Sequence, residues 1–449
     1  MTEPEFTPPK PSLPPQPSLP PQASAEPPPR RKKVVLIGGI GAVVLALLAG
    51  LTAVLTGTDA DDSASKASQQ NRAPFEQALS DLAAAQGLRY QDKVVADLWS
   101  RDITVTPSGT QFGSTDSRLD MEVLRIGGKT YTRDTKPPAS GVDGKKPEGP
   151  GRWTFGGYWS SSRHKTLQQF LPPAQLAAQL RSALDAQAEL PGPGSPDTPP
   201  SSVNGVPALR ADTSAGSILV TKKPPHRVLR LERYELGDLA ERLRNTAAPL
   251  PDIPPVTTGP LAQGDSTGMD LSPLVGEAVD RMYDTLEAYA KQLANAVDDD
   301  VKFSLDLGGS LNCGNAGCTV RENFRGTLTT AAKARITQGT VTAVMTADVT
   351  VDGQPAGSCV TPPSVVRFNG NSASGNLSCR VPSAGPVFAT AMATKKARAE
   401  AQSRASGGSP VPYRVSTRAW AEIDAQALAV GEVNRLVEQV RQERRSPHR

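Results

Sequence analysis

The pattern of hydrophobic and polar positions begins with one long apolar run. Residues 34–58 carry no charged side chain, and about 20 apolar residues suffice for a helix to cross a bilayer. The run predicts a transmembrane helix over 34–56. Basic residues at 30–33 precede it and Asp59 follows it, which places the N-terminus in the cytoplasm and the C-terminal bulk outside the cell membrane. A cleaved signal peptide is the rival interpretation, but its apolar core would be shorter, roughly 7 to 15 residues.

Small residues and prolines mark the predicted anchor and the tail before it. Gly38, Ala42, Ala46 and Gly50 recur every fourth residue, a spacing that allows two helices to pair closely. The plainer interpretation, that Gly and Ala are common in such helices, is favoured. Residues 1–33 are proline-rich and repeat PSLPPQ, which predicts a disordered cytoplasmic tail. Its PxxP spacing fits the aromatic grooves of partner modules, although a spacer is favoured.

Helical and strand periodicities alternate in the first predicted outer domain, residues 72–245. Apolar residues at helical spacing predict a helix that starts at Pro74 and another over 173–190. The segments after each helix alternate apolar and polar residues as strands do, and Gly127-Gly128 indicates a hairpin turn. The order helix, strands, helix, strands predicts an α+β fold with an antiparallel sheet.

Polar and Pro-rich or Gly-rich composition predicts linkers at 57–71 and 246–270, and a second outer domain at 271–445. Ser272 and Pro273 form a good N-cap and first turn for the opening helix of that domain. The following segments alternate with period two, which predicts a small sandwich or partly open sheet. An amphipathic helix ends the pattern, so this β-rich domain is flanked by helices.

All four cysteines fall in the second predicted domain, at Cys313, Cys318, Cys359 and Cys379. An even number outside the cytoplasm favours disulfides. Of the three possible pairings we favour Cys313 with Cys318, across a turn rich in Gly and Asn, and Cys359 with Cys379. A four-cysteine zinc site is the alternative, but the spacing does not match paired zinc knuckles and an oxidising compartment disfavours it.

Composition and motifs limit the functions that the chain could have. The 449 residues carry a net charge of +4 and 4% aromatic residues, without the basic and aromatic stretch of a nucleic-acid surface. Only three histidines are present, and the Ser162-x-x-Lys165 spacing lacks the companion motifs of a serine enzyme. The triplet Asp298 to Asp300 is read as a solvated turn rather than a calcium site. We therefore expect no catalysis, no cofactor, no metal and no nucleic-acid partner.

Two segments carry a resemblance to a known family. VNGVPALRADTSAGSILVTKKPPHRVLRLE, together with the earlier EVLRIGGKTYTRD and a Trp-containing segment, resembles actinobacterial envelope lipoproteins of the LppX and LprG type, which are related in fold to the LolA carriers. The resemblance implies an antiparallel half-barrel with helices across its mouth and an apolar cavity for lipid chains. Trp153, Phe155, Tyr158 and Trp159 are the candidate lining of that cavity, although ordinary core between sheet and helix is favoured for them.

The chain also departs from that family. A transmembrane helix takes the place of the lipidated cysteine, and residues 134–151 form a long insertion. A tethered domain cannot shuttle between membranes, so ligand sensing, presentation and scaffolding remain as roles. Residues 271–445 resemble the spacer regions that precede toxin modules in some actinobacterial polymorphic secreted proteins, here with no toxin module expected.

These expectations define one leading function and its alternative. The leading function is a non-catalytic, single-pass envelope protein whose half-barrel binds a lipid or another apolar ligand. The alternative is a structural, interaction or sensor protein of the membrane that binds a partner protein and no small ligand. A half-barrel filled by its own side chains would favour the alternative.

Overall fold

The computed structural model describes residues 59–94, 99–136, 150–187, 201–233, 256–262, 266–337 and 339–446. The predicted tail and anchor, with Gly38, Ala42, Ala46 and Gly50, lie outside these described residues. Within the described part of the chain, no helix is both long enough and apolar enough to cross a membrane. Residues 60–449 belong to one compact unit.

The first half of the described chain alternates helices and strands, as its hydrophobic pattern predicts. The elements in chain order are α1 (Asp59–Ala83), β1 (Leu88–Val94), β2 (Trp99–Val105), β3 (Gln111–Ser114), β4 (Met121–Ile126), β5 (Lys129–Asp134), β6 (Thr154–Phe155), α2 (Gly157–Leu167), α3 (Pro173–Asp185), β7 (Ser201–Val203), β8 (Val206–Thr213), β9 (Gly216–Thr221), β10 (Val228–Glu232) and β11 (Ser266–Pro273). The predicted hairpin at Gly127-Gly128 is confirmed, because both glycines have positive φ and join β4 to β5. The first helix begins earlier than predicted, with Pro74 inside it.

The second half has a helix at each end of a β-rich region, as predicted, and two further helices inside that region. Its elements are α4 (Glu277–Gln292), a 3-10 turn (Leu293–Asn295), β12 (Val297–Asp298), β13 (Val301–Leu305), β14 (Ser310–Gly314), β15 (Gly317–Leu328), α5 (Thr330–Arg335), β16 (Thr340–Val351), β17 (Gln354–Val360), β18 (Ser364–Arg367), β19 (Ser372–Val381), α6 (Ala384–Ala405), β20 (Thr417–Ala425) and α7 (Val430–Arg445). The fold class is therefore α+β.

One large sheet runs through the first half, with strand order β12-β6-β5-β4-β3-β2-β1-β11-β10-β9-β8-β7. All neighbours are antiparallel except β12 and β6. Strand β11 lies between β1 and β10, so the predicted linker 246–270 contains the start of a central strand. Ser272 and Pro273 end this strand and do not cap a helix, since α4 follows Gly276. The Ser-Thr-Gly start of β11 has the composition of a linker, which explains why the sequence predicted a linker up to residue 270.

Helices α1 and α3 fill the inner face of the large sheet. Inward side chains from strands β1, β2, β4 and β8 to β11 enter the same apolar cluster as these two helices, as a curved sheet requires. Its large aliphatic members include Leu79, Leu82, Leu88, Ile103, Leu176, Leu180, Leu184, Ile218 and Leu231, all at most 1% exposed. Burying one such side chain stabilises a fold by about 1.5–3 kcal/mol. This cluster is the main core of the first half.

Helices α4 and α7 cover part of the opposite, outer face. Leu124 and Tyr131 of the β4-β5 hairpin pack there against Leu286 of α4 and Leu436 of α7. Both faces of β4 are buried as a result, with Val123 facing inward and Leu124 outward. Residues from the two predicted domains therefore share one core layer, and the predicted division at residue 270 falls inside β11.

The β-rich region is a sandwich of two four-stranded antiparallel sheets. In the first sheet β15 pairs with β13 and β14 on one side and with β19 on the other, and in the second β16 pairs with β17, β18 and β20. Disulfides join Cys313 to Cys318 across the β14-β15 hairpin and Cys359 of β17 to Cys379 of β19. The favoured pairing is therefore confirmed, and the second bond links the two sheets.

A buried ion-pair cluster joins the large sheet to the sandwich. Arg335 donates to Asp298 at 2.8 and 3.1 Å and to Asp300 at 2.9 Å, and the side chains of the two aspartates are 7% and 10% exposed. The two aspartates are thus not in a solvated turn. A Cβ on Gly156 would lie 2.5 Å from an Asp300 oxygen, and Gly156 has φ of 78°, so a side chain at this glycine would displace the cluster.

Removing the cation of this cluster should destabilise the fold. Arg335→Met leaves Asp298 and Asp300 buried without their partner, and we expect the free energy of unfolding to fall by about 2 kcal/mol. Urea denaturation measures the change. Arg367→Met, at an exposed arginine on β18, is the control and should stay within about 0.5 kcal/mol of wild type. Equal losses in the two variants would contradict a stabilising role for the cluster.

Acid should weaken the contact between α4 and α7. Glu287 accepts hydrogen bonds from Arg441 and from Lys291, each at 2.7 Å, and these lower the pKa of Glu287 from 4.5 to about 2. A carboxylate with a lowered pKa stabilises the fold above its ordinary pKa, and this stabilisation is lost as the pH falls from 4.5 toward 2. Glu287→Gln should therefore be less stable than wild type at pH 6 and equal to it near pH 2 in thermal denaturation. A difference that does not depend on pH would contradict this prediction.

Candidate interaction groove

The structure separates the four aromatic residues that were candidates for a ligand cavity. Trp153 is 1% exposed and, with half-buried Phe155, packs in the outer core layer beneath α4 and α7. Tyr158 and Trp159 lie at the start of α2 and are 76% and 47% exposed, with ring centroids 5.3 Å apart. The four side chains therefore do not line one cavity. The favoured assignment to core fits Trp153 and Phe155 and is wrong for the exposed pair.

Trp153 has a positioning role in the outer layer. The Arg133 guanidinium lies 4.4 Å from the Trp153 ring centre and 4.5 Å from that of Tyr289, and the two rings contact each other edge to face with their centres 5.2 Å apart. Arg133 also donates to Glu122 at 2.7 Å and to Gln292 at 2.5 Å. A cation that contacts two rings and has its hydrogen bonds satisfied fixes these partners in place. This stack holds α4 at a set distance from the large sheet.

A groove of about 580 Å³ lies beside that stack, between the outer face of β1 to β4 and helix α4. Its floor and helix wall are apolar and include Phe112, Met121, Leu274, Met282 and Tyr289. Its rim is charged and includes Arg89, Asp102, Asp120, Glu122 and Arg281. The groove is open to solvent along its length, and it combines the two kinds of surface, apolar centre and polar rim, that protein interfaces have.

The charges of the rim are paired, either with each other or with neighbouring side chains. Arg89 forms a two-point ion pair with Asp102, and this hydrogen bonding raises the pKa of Arg89. Glu122 accepts from Arg133 and from the Tyr289 hydroxyl at 3.0 Å, and burial, then Glu122, raises the pKa of Tyr289. The Tyr289 hydroxyl is therefore neutral at physiological pH and acts as a hydrogen-bond donor. Such a rim can orient a partner without repelling either sign of charge.

Two smaller cavities lie near the ends of the inner core. One of about 440 Å³ is lined by four glutamines, Gln111, Gln168, Gln175 and Gln439. The other, of about 460 Å³, lies between the end of α1 and the end of β11 and is lined mainly by apolar residues such as Ala85, Val228 and Leu274. Both open to solvent and both reach members of the inner core, the first at Phe170 and the apolar cleft at Leu82 and Val228.

The titratable groups of the described chain serve structural contacts. His164 Nδ1 lies 2.9 Å from the Thr130 hydroxyl, and His226 Nδ1 donates to the Thr221 carbonyl at 2.8 Å. Burial, then the charge of Arg125, lowers the pKa of His164. No group of three potential metal ligands occurs among the described residues. The lining of the groove offers apolar contacts and hydrogen-bonding groups to a partner.

Reasoning from sequence missed every residue of the groove. Met282 and Tyr289 follow the apolar stripe of α4, which indicates core and not a binding wall. Arg89 and Asp102 stand at outward positions of ordinary alternating strands. The signal that could have identified them is the pairing of β11 with β1, because that pairing brings α4 onto the outer face next to these strands.

Comparisons with known proteins leave these surfaces to be interpreted from their own geometry. No family model, no curated protein and no solved structure matches the chain.

Proposed function

We propose that this protein is a non-catalytic, membrane-anchored protein of the cell envelope that binds a segment of a partner protein in the outer groove. The anchor and its orientation rest on the uncharged run at 34–56 and on the basic residues before it. The groove lies in the compact unit of residues 60–449. The function is therefore to hold a binding surface next to the membrane.

The single observation that carries this proposal is the filled interior of the large sheet. Leu79 and Leu82 of α1 and Leu176, Leu180 and Leu184 of α3 are at most 1% exposed against the inner face. Side chains packed to this degree leave no space for a lipid chain, since protein interiors have the density of organic crystals. This packing supports a binding site on the outer surface over lipid binding inside the half-barrel.

The groove suits an extended or helical segment of a protein. Its volume of about 580 Å³ falls within the roughly 300–1,000 Å³ of sites that enclose a small ligand, but the groove is open along one side. Apolar side chains of a partner would fill the space above Phe112, Met121 and Met282, and its polar backbone would face the charged rim. The Tyr289 hydroxyl, whose proton is donated to Glu122, would accept one hydrogen bond from the partner.

A second candidate function is lipid binding at the apolar cleft by α1. The observation that favours it is the lining of Ala78, Leu82, Ala85, Val228 and Leu274, which joins the inner core to solvent. One acyl chain could enter there only if α1 moved away from the sheet. This candidate requires that movement, and the groove requires none.

Native mass spectrometry distinguishes the two functions. Residues 60–449, purified from the envelope fraction of the source cells, should show the mass of the polypeptide alone, and organic extraction should release no stoichiometric lipid. We expect this because the side chains of α1 and α3 fill the inner core. A copurified lipid at one per chain would contradict the main proposal, and its loss in Ala85→Arg, which fills the apolar cleft, would establish the second candidate.

Photo-crosslinking tests the groove in cells. Benzoylphenylalanine placed at Thr285, in the groove wall, should join the full chain to one protein species. Adding Ala278→Trp should suppress that product, because the indole occupies the groove. The same crosslinker at Gln402, exposed on α6, is the control position. A product that forms equally from Gln402, or that persists with Ala278→Trp, would rule out the groove as the binding site.

A further inference from the structure

The outward face of the first sandwich sheet consists entirely of polar and basic side chains. Its inward positions, such as Val320 and Phe324, are buried in the sandwich core, and strand alternation puts the intervening residues on the outer face. The fourteen outward residues are Lys302, Ser304, Ser310, Asn312, Thr319, Arg321, Asn323, Arg325, Thr327, Ser372, Ser374, Asn376, Ser378 and Arg380. All are exposed except half-buried Asn323, and none is acidic, aliphatic or aromatic.

The register of the strands arranges these residues in rows across the sheet. Ser310 pairs with Arg321, which pairs with Ser378, and in the next row Thr319 pairs with Arg380. Arg321 and Arg380 are therefore diagonal neighbours, which in antiparallel strands lie roughly 7–8 Å apart. Arg325 stands four residues further along β15, about 13 Å away. Basic groups thus follow one another along the face, separated by short hydroxyl and amide side chains.

The basic groups differ in how they are neutralised. Arg325 forms an ion pair with Asp306 at 2.9 Å, and Lys302 pairs with Asp299. Among the described residues no ion pair involves Arg321 or Arg380, so these two keep their charge available at the centre of the face. The face as a whole is electropositive, and it attracts an anionic partner.

The chemistry of the face narrows the class of that partner. A protein interface needs buried aromatic or aliphatic anchors, and a single-stranded nucleic acid needs aromatic stacking platforms. The fourteen residues offer neither. They offer guanidinium groups, which bind carboxylate or phosphate at two points, and many short donors and acceptors that match the hydroxyls of sugars. The required ligand is hydroxyl-rich, flexible and anionic.

We propose that the outward face of β13, β14, β15 and β19 binds an anionic glycan, with Arg321 and Arg380 as the residues that contact its carboxylate or phosphate groups. This surface is separate from the outer groove and does not depend on the function proposed for it. The disulfide between Cys379 of β19 and Cys359 of β17 holds one edge of the polar face in a fixed position. The ligand therefore meets a rigid surface.

Binding of the full chain to three immobilised polymers tests the proposal. The probes are polygalacturonate for carboxylates, poly(glycerol phosphate) for phosphates and dextran as the neutral polymer. We expect binding to at least one anionic polymer, weakening as salt is raised, and no binding to dextran. The preference between the two anionic polymers identifies the charged group. Binding to none of them at low salt, or equal binding to dextran, would overturn the proposal.

Matched charge reversals assign the binding to the face. Arg321→Glu with Arg380→Glu should raise the Kd about tenfold or more, because attraction becomes repulsion at the centre of the face. Arg367→Glu with Arg418→Glu makes the same charge change at exposed arginines of the second sheet, and should change the Kd less than about twofold. Arg321→Gln with Arg380→Gln should give an intermediate loss at an unchanged melting temperature. Equal losses in the two reversals would refute the assignment.

Discussion

The insertion of β11 between β1 and β10 is the constraint on which the rest of the structure depends. Without it the large sheet would be two smaller sheets with unpaired edges at β1 and β10, because no other described strand joins them. Its residues Met269 and Leu271 also enter the inner core. The next 25 residues then cross the outer face as α4 and reach the far edge of the same sheet as β12. One continuous segment therefore joins the two parts of the large sheet, forms the groove wall and leads into the sandwich.

The filled interior follows from the same geometry. A curved sheet brings inward side chains from many strands toward one axis, and only a second layer of apolar side chains or a ligand can occupy that space. Here α1 and α3 provide the second layer with Leu79, Leu82, Leu176, Leu180 and Leu184. This filling favours a binding surface on the outside of the large sheet over one in its interior. The outer groove is such a surface, because α4 covers only part of the outer face.

Local sequence patterns predicted most helices and strands. They could not predict the position of β11 or the burial of Trp153, because both depend on contacts between residues far apart in the chain. Helix α3 begins at Pro173 as predicted, since Pro at a first turn and Leu at every fourth position are local signals. Strand β11 was hidden by its Ser-Thr-Gly start. Trp153 and Trp159 stand in one short aromatic segment, yet one is buried by α4, some 130 residues later in the chain, and the other faces solvent. The sequence alone predicts this helix but does not indicate that it covers Trp153.

The groove and the polar face depend on different supports, so they can vary separately. The groove needs α4 at its place on the large sheet, which β11 and the Arg133 stack provide. The polar face needs β19 beside β15, which ten paired residues and the bond from Cys379 to Cys359 provide. Asp298, Asp300 and Arg335 join the two parts at one buried point. Because none of these three residues belongs to the groove lining or to the polar face, we expect that a change that fills the groove leaves the face intact and that reversing the charge of the face leaves the groove wall in place.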